Sequence, residues 1–349
     1  APAGAARNSG TAGAPSAPGG APGVRLDVRL TAEAPGAVAG TLRIEAPPGW
    51  RAEPAALPVR FAGPGAARAV PVVVHPPAGA AAGEHAVRAV FEAEDGRRET
   101  RGYRVVEYPH TRPRALYREA VARVRAVDVR VPAGLRVGYV LGAGDEGPQA
   151  LARLGVAVEL LDSAALAAGE LGRYDAIVVG IRAYETRRDL AAHNDRLLEY
   201  VRRGGTLVVQ YQQYEFVQGG FAPYPLEIAR PHDRVTDEEA PVRLLAPEHP
   251  ALSWPNRIGP ADFEGWVQER GLYYPRAWDE RYTPLLEMAD PGEPPLRGAL
   301  LVAPHGAGHY VYTGLALFRQ LPAGVPGAYR LLANLVSLGR APAGGAAGR

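Results

Sequence analysis

The stretch Tyr174–Phe216, YDAIVVGIRAYETRRDLAAHNDRLLEYVRRGGTLVVQYQQYEF, decides how this chain is read. Ala176–Gly180 and Thr206–Gln210 are short apolar, β-branched runs of the kind that form buried strands. Between them Leu190, Leu197, Leu198 and Val201 recur at the spacing of one helix face, Thr186-Arg-Arg-Asp189 has the form of a capping box, and Gly204-Gly205 that of a helix stop. Strand, helix, strand and then a sharp polar turn is the unit of a parallel sheet with crossover helices. An α/β enzyme places its nucleophile at that turn. Here the turn offers Tyr211, Gln212 and Gln213, and the chain contains no cysteine.

Working outward, Leu135–Leu141 and Val156–Leu161 read as two further strands with a short helix at Glu146–Leu154 between them. GALLVAP and HYVYTGLAL resume the sheet before a final helix, Gly327–Leu338. Residues 134–340 are therefore expected to form an α/β domain with a flavodoxin-like parallel sheet. From Tyr211 to about Pro295 the chain is aromatic and broken by proline, with few periodic elements. Upstream, Val24, Leu26, Val28 and Leu30 alternate, as do Leu42 and Ile44, and Pro/Gly turns separate short runs as far as Tyr108; this predicts an immunoglobulin-like β-sandwich over 24–108. Trp50 reads as a core or edge residue. Residues 109–133 are arginine-rich with Leu116, Ala120, Val121 and Val124 on one helical face, and are read as a partly helical connector. Residues 1–23 read as a low-complexity Ala/Pro/Gly linker, the seam to something upstream, and 341–349 as a disordered tail.

All 39 basic residues are arginine, which excludes Schiff-base and P-loop chemistry, since both use lysine. A formal charge of +2, with arginines interspersed among acids, argues against nucleic acid as a partner. No apolar run is long enough to span a membrane. Without cysteine neither disulfides nor thiol chemistry are available. The start of the chain lacks the charged and apolar regions of a signal peptide.

Gly142-Ala143-Gly144-Asp145-Glu146-Gly147 matches G-x-G-x-x-G between a strand and a helix, with Asp162 where a ribose-binding acid would stand. Asp145 and Glu146 would face a pyrophosphate, so the reading taken is a glycine turn needed for tight passage, with Asp162 a cap or turn residue. His305 and His309 have H-x-x-x-H spacing but sit around a glycine turn between strands, which reads as a hairpin and not a zinc site. Arg230-Pro231-His232-Asp233 reads as a loop. Asp262, Glu264 and Glu215 are available as paired carboxylates for glycan hydrolysis, with Trp266 and Tyr273 as stacking surfaces. None of the five serines lies in a nucleophile elbow, so serine hydrolysis is excluded.

The motifs YDAIVVGIRAYETR, NDRLLEYVRRGGTLVVQYQQYEF, FAPYPLEIARPHDRVTDE, PNRIGPADFEGWVQERGLYY and YVYTGLALFRQLPAGVPGAYRLLANL give the segment Gly138–Leu338 its character. It resembles the class I glutamine-amidotransferase-like domain at the C-terminus of large bacterial PIG-L (LmbE-like) deacetylases, and the preceding sandwich looks like the NEW3-type domain that accompanies it. The resemblance implies a parent polypeptide whose N-terminal domain is a zinc-dependent deacetylase of N-acetylated sugars, periplasmic or secreted. That domain's His-Pro-Asp-Asp motif is not in this sequence, so no cofactor is expected here and zinc only in the deacetylase domain. An amidotransferase would carry cysteine where this chain has Tyr211/Gln212, and histidine where it has Leu315–Phe318.

Three functions stay open. The first is a non-catalytic accessory module that binds a glycan or sugar acid at the carboxyl edge of the sheet, using Arg182, Tyr184, Glu185, Tyr211, Gln212, Gln213, Glu215 and Arg319, closed by Asp262, Glu264 and Trp266. The second is a scaffold that positions or oligomerises the deacetylase domain. The third is a carboxylate-dependent glycan hydrolase.

Overall fold

The computed structural model describes residues 23–110 and 112–342; the expected linker before Gly23 and tail beyond residue 342 lie outside them. The chain divides after Val127 into two compact units.

The first unit is a β-sandwich. Its strands are β1 (Val24–Thr31), β2 (Val38–Glu45), β3 (Arg51–Glu53), β4 (Ala56–Phe61), β5 (Ala67–His75), β6 (Gly83–Ala93), β7 (Arg98–Glu99), β8 (Arg101–Val106), β9 (Arg114–Glu119) and β10 (Val121–Ala126). One sheet runs β1-β5-β3, the other β10-β6-β2-β4 with β7 beside β6, and all pairs are antiparallel. Alternation puts Leu26, Val28 and Leu30 of β1 into a shared core with Val70, Val72 and Val74 of β5 and with Leu42, Val59 and Phe91 of the facing sheet. Trp50 is half-buried at the margin, its ring 4.8 Å from His85. The stretch expected to be a partly helical connector holds β9 and β10 instead. Leu116 is exposed while Ala120 and Val124 are buried, so no helical face forms; β10 finds backbone partners on β6, which no local periodicity reports.

The second unit contains β11 (Arg136–Val140), helix α1 (Gly147–Arg153), β12 (Ala157–Leu160), α2 (Ser163–Ala168), β13 (Ala176–Val179), α3 (Ala183–Thr186), α4 (Arg188–Ala192), α5 (Asn194–Arg202), β14 (Thr206–Gln210), α6 (Tyr214–Gln218), β15 (Leu226–Val235), β16 (Arg243–Leu244), α7 (Pro250–Ser253), β17 (Gly271–Trp278), β18 (Thr283–Pro284), β19 (Leu286–Glu287), β20 (Leu300–His305), β21 (Gly308–Thr313), α8 (Leu317–Gln320) and α9 (Pro326–Ser337). Its main sheet has the order β12-β11-β13-β14-β21-β20-β18. β12, β11, β13, β14 and β21 run parallel, whereas β20 and β18 are antiparallel to their neighbours. The central strands are buried on both faces, which explains their unbroken apolar character. Val178 and Val208 point into the core that holds α9, and Ile177, Val179, Leu207 and Val209 into the core beneath α4 and α5.

The flavodoxin-like α/β expectation is overturned. Strand accounts for 38% of the chain and helix for 21%, every sheet but one is antiparallel throughout, and that one is mixed. The apparently aperiodic region after Tyr211 supplies two more antiparallel pairs, β15 with β17 and β16 with β19. The long helix expected from the capping box is also broken. Arg187 leaves the helical region (φ −120°, ψ 93°), Thr186 Oγ1 donates to the Arg182 carbonyl, and Asp189 is held by Arg187 and Ser163. Leu190, Leu197 and Val201 nevertheless face one core.

The last helix lies against the turn Pro260–Phe263. A Cβ on Gly327 would sit 1.8 Å from the Asp262 carbonyl oxygen. Gly327→Ala is expected to lower the unfolding free energy by about 2 kcal/mol despite the helix propensity of alanine, measurable as a reduced urea midpoint at unchanged m-value.

Candidate functional site

The five parallel strands of the main sheet release their chains at one edge, and the segments after β13, β14 and β21 bring polar and aromatic residues together there. After β13, Gly180-Ile181 leads into Arg182, which is held in the left-handed region at φ 53°. Its amide donates to the Tyr211 carbonyl at 2.9 Å, tying this loop to the turn after β14. Its guanidinium is bound by two hydrogen bonds to Glu185, from Nε at 2.7 Å and Nη2 at 2.5 Å. That pairing holds the Glu185 carboxyl below the ordinary carboxylate range.

An aromatic wall stands beside this pair. Tyr211 stacks on Tyr273 at 5.6 Å, and His232 covers the same Tyr273 ring at 3.9 Å with only 4° between the planes. Tyr214 meets Tyr273 edge-on at 5.4 Å, and Phe318, in α8 after β21, lies 5.6 Å from Tyr211. Tyr273 also has positive φ, 55°. Tyr211 and Tyr273 are nearly buried; Tyr214, His232 and Phe318 are half-exposed and form the accessible surface. Arg230 lies over one face of the Tyr214 ring, 3.8 Å from its centroid. Burial pushes the Tyr211 and Tyr273 hydroxyls up, with Arg182 opposing it, and partial burial beside Arg234 pushes His232 down. The arrangement offers ring faces flanked by a fixed Arg–Glu pair and a further cation. Aromatic faces of this kind meet the C–H surfaces of a sugar while carboxylates and guanidinium groups bind its hydroxyls.

The residues expected from sequence divide into several groups. Arg182, Glu185, Tyr211, Gln213 and Glu215 gather at this edge, Gln213 beside the Tyr211 hydroxyl and Glu215 exposed. Tyr184 and Gln212 are corrections. Tyr184 is buried, donates to Asn194 Oδ1 at 2.6 Å and stacks on Phe221; Gln212 is buried and bridges the Gly180 and Gln210 carbonyls and the Tyr184 amide. Both shape the loops from beneath. Arg319 pairs with Glu269 at 2.6 Å and lies over Phe318 at the rim. Asp262, Glu264 and Trp266 do not close the site. Trp266 is 4% exposed in the core on the opposite face of the sheet and donates to the Asp262 carbonyl. Asp262 accepts from the Gly259 amide and pairs with Arg330, and Glu264 is exposed beyond that turn. A facing carboxylate pair for hydrolysis is not formed there. His232, Arg230, Tyr214 and Phe318 are the additional site residues, and Tyr273, expected as a stacking surface beside Trp266, joins this edge without it; the local signal for Arg230 and His232 was Arg230-Pro231-His232-Asp233, which read as a loop.

The glycine motif has a structural role. Asp145 takes a hydrogen bond from the Tyr139 hydroxyl and accepts from the amides of Gly147 at 3.0 Å and Ile181 at 3.3 Å, so a carboxylate already occupies the start of α1. Burial raises its pKa. A Cβ on Gly142 would lie 2.0 Å from the Ile181 carbonyl oxygen, which accounts for glycine in that turn. Asp162 caps α2 through the Ala165 amide. His305 and His309 belong to the β20–β21 hairpin, His305 against the Tyr224 hydroxyl at 3.2 Å. Among the described residues no three acids or histidines converge as a metal site. A groove of about 800 Å³ lies at the other, amino edge of the sheet, lined by Asp175, Arg196, Glu199 and Arg340 among others. Its cations are engaged: Arg340 pairs with Asp175, Arg202 and Arg203 with Glu199, and Arg196 binds backbone carbonyls.

Residues 18–93 match the NPCBM-associated, NEW3 domain of alpha-galactosidase. No curated protein matches the chain significantly. Among solved structures, a cytoplasmic protein of Salmonella typhimurium aligns at 15% identity over 68% of this chain and 94% of that one, with a TM-score of 0.39. The cold-adapted beta-galactosidase of Rahnella sp. R3 aligns at 16% identity over 60% of this chain and 31% of its own, TM-score 0.35, and the beta-galactosidase of Bacillus circulans at 14% over 60% and 32%, TM-score 0.31. The chain thus spans about a third of those two enzymes. Nothing in these comparisons speaks for a PIG-L deacetylase or an amidotransferase.

Proposed function

We propose that this chain is a carbohydrate-binding accessory region of a larger carbohydrate-active polypeptide, and that it takes a glycan at the carboxyl edge of the second unit's main sheet. The observation that carries the reading is the wall of Tyr214, His232, Tyr273 and Phe318 beside the fixed Arg182–Glu185 pair. The similarity of residues 18–93 to a domain of alpha-galactosidase supports the carbohydrate context. More finely, the sequence motifs lead us to assign the parent as an N-acetyl-sugar deacetylase of the PIG-L type, periplasmic or secreted, with its zinc in the deacetylase domain. This chain's role is then to hold the substrate near that domain.

Calorimetric titration with N-acetylglucosamine oligomers tests this directly. Saturable binding is expected, weakened about tenfold by Tyr214→Ala, the loss of roughly 1.4 kcal/mol of ring stacking, and by a similar factor in Arg182→Ala. Trp266→Ala is a poor probe, since that ring is buried on the other face. No binding across the panel, or affinities unchanged in both variants, overturns the proposal and leaves the scaffold role.

A further inference from the structure

The ribbon formed by β8 and β9 stands apart from the two sheets of the sandwich, since each of its strands pairs only with the other. Its register sets Gly102 opposite Arg118, Arg104 opposite Leu116 and Val106 opposite Arg114, so these six residues share one face. The other face carries Arg101, Tyr103, Val105, Ala115, Tyr117 and Glu119. There Tyr103 packs on Tyr117 at 5.9 Å and its hydroxyl is held by Glu33, in the loop following β1. Both faces carry exposed residues, Val105 and Tyr117 on this one and three arginines and Leu116 on the first, where Gly102 is buried. On the first face Arg104, Arg114, Arg118 and Leu116 are all exposed, no carboxylate is present, and none of the three guanidinium groups forms an ion pair or side-chain hydrogen bond among the described residues.

Three unpaired cations on one narrow face repel each other, which an exposed structural surface gains nothing by keeping. Arg114 and Arg118 lie about 14 Å apart along one strand, and Arg104 lies between them, about 7–8 Å from each across the ribbon. Leu116 and Val106 supply apolar surface between the charges.

We propose that this face binds an anionic polysaccharide, one carboxylate to each of Arg104, Arg114 and Arg118, with the ring C–H faces on Leu116 and Val106. Charge complementarity calls for a polyanion, and the placement of the aromatics selects among polyanions. Single-stranded nucleic acid is held by stacking bases on aromatic rings, and here both tyrosines are on the opposite face. Duplex binding draws on a broader basic field than a chain of net charge +2 supplies.

The test uses the full chain and polygalacturonate, with neutral galactan, an oligonucleotide of equal charge and phosphatidylserine vesicles as competitors. Polygalacturonate is expected to bind at low salt, with log K falling against log salt at a slope of about −2 to −3, as release of counterions from three contacts requires. Galactan is expected not to bind. Arg104→Gln/Arg114→Gln/Arg118→Gln is expected to weaken polygalacturonate binding at least tenfold at an unchanged thermal midpoint, and Arg104→Gln alone to remove about one unit of the slope. Absence of binding at low salt, affinity unaltered by these variants, or preference for the oligonucleotide or the vesicles overturns it. The Tyr214 and Arg182 variants leave this binding unchanged, which separates its failure from failure of the edge site.

Discussion

Arg270→Ala is expected to lower the free energy of unfolding by about 3–5 kcal/mol, more than any change at the candidate site. Arg270 is 4% exposed and forms no ion pair among the described residues. Its guanidinium replaces lost water with backbone: Nε and Nη2 donate to the Ala240 carbonyl at 3.0 and 2.8 Å, and Nη1 to the Phe263 carbonyl. The rings of Trp266 and Phe263 lie 5.6 and 5.9 Å away. Burial pulls its pKa down from the ordinary arginine value, yet a guanidinium stays protonated at any ordinary pH. Truncation leaves two buried carbonyls without donors, about 1–3 kcal/mol each, and adds a cavity. Arg270→Lys is expected to fall between, because one compact ammonium cannot reproduce a planar fork that reaches two acceptors. Urea unfolding of both variants measures it; a loss under 1 kcal/mol for the alanine variant would show that water enters and satisfies the carbonyls.

Asn334→Asp is expected to destabilise the protein by about 3–4 kcal/mol at pH 7 and to recover as the solution is acidified. Asn334 in α9 is fully buried and uses every hydrogen-bonding position it has. Its Oδ1 accepts from the backbone and side-chain amides of Asn256, at 2.9 and 3.0 Å, and its Nδ2 donates to the carbonyls of Ala251 and Asn256. Asn256 in turn binds both backbone groups of Arg130, at 2.7 and 2.9 Å, so the network pins the start of the second unit to its last helix. Aspartate turns the donor into a second anionic oxygen facing two carbonyls in a dry site. The introduced carboxyl then binds its proton more tightly in the folded than in the unfolded chain, where its pKa is about 3.9. Stability is accordingly full below that value and is lost as pH rises toward the elevated folded value. Asn334→Ala, which adds no titrating group, is expected to lose a similar amount without this pH dependence. Parallel thermal melts at pH 4 and pH 8 distinguish the two.

What was legible in the sequence follows from how local each signal was. β11, β13 and β14 announce themselves because burial on both faces demands unbroken apolar, β-branched residues, and β1 because burial on one face demands alternation. The β20–β21 pair was readable as a hairpin, but the β15–β17 pair was illegible because its partners are far apart in sequence and meet through three register shifts. β9 and β10 were misread because one arginine-rich segment serves two different partners, β8 and then β6. At the site, Arg182, Glu185 and Tyr211 were readable from their place after a central strand. Tyr273 and His232 arrive from the irregular ribbon and carry no such signal. Trp266 misled because acids beside an aromatic look the same in sequence whether the ring faces solvent or, as here, the core.

Arg182 and Tyr273 are two of the three non-glycine residues with positive φ among the described residues, the third being Gln268. A side chain held there costs about 1 kcal/mol or more that glycine would not incur. Selection for thermal robustness alone would therefore replace both. Their presence at one sheet edge marks a conflict between durability and whatever these two side chains do, and a stabilised version of this protein designed from sequence statistics would erase the feature that gives that edge its chemistry.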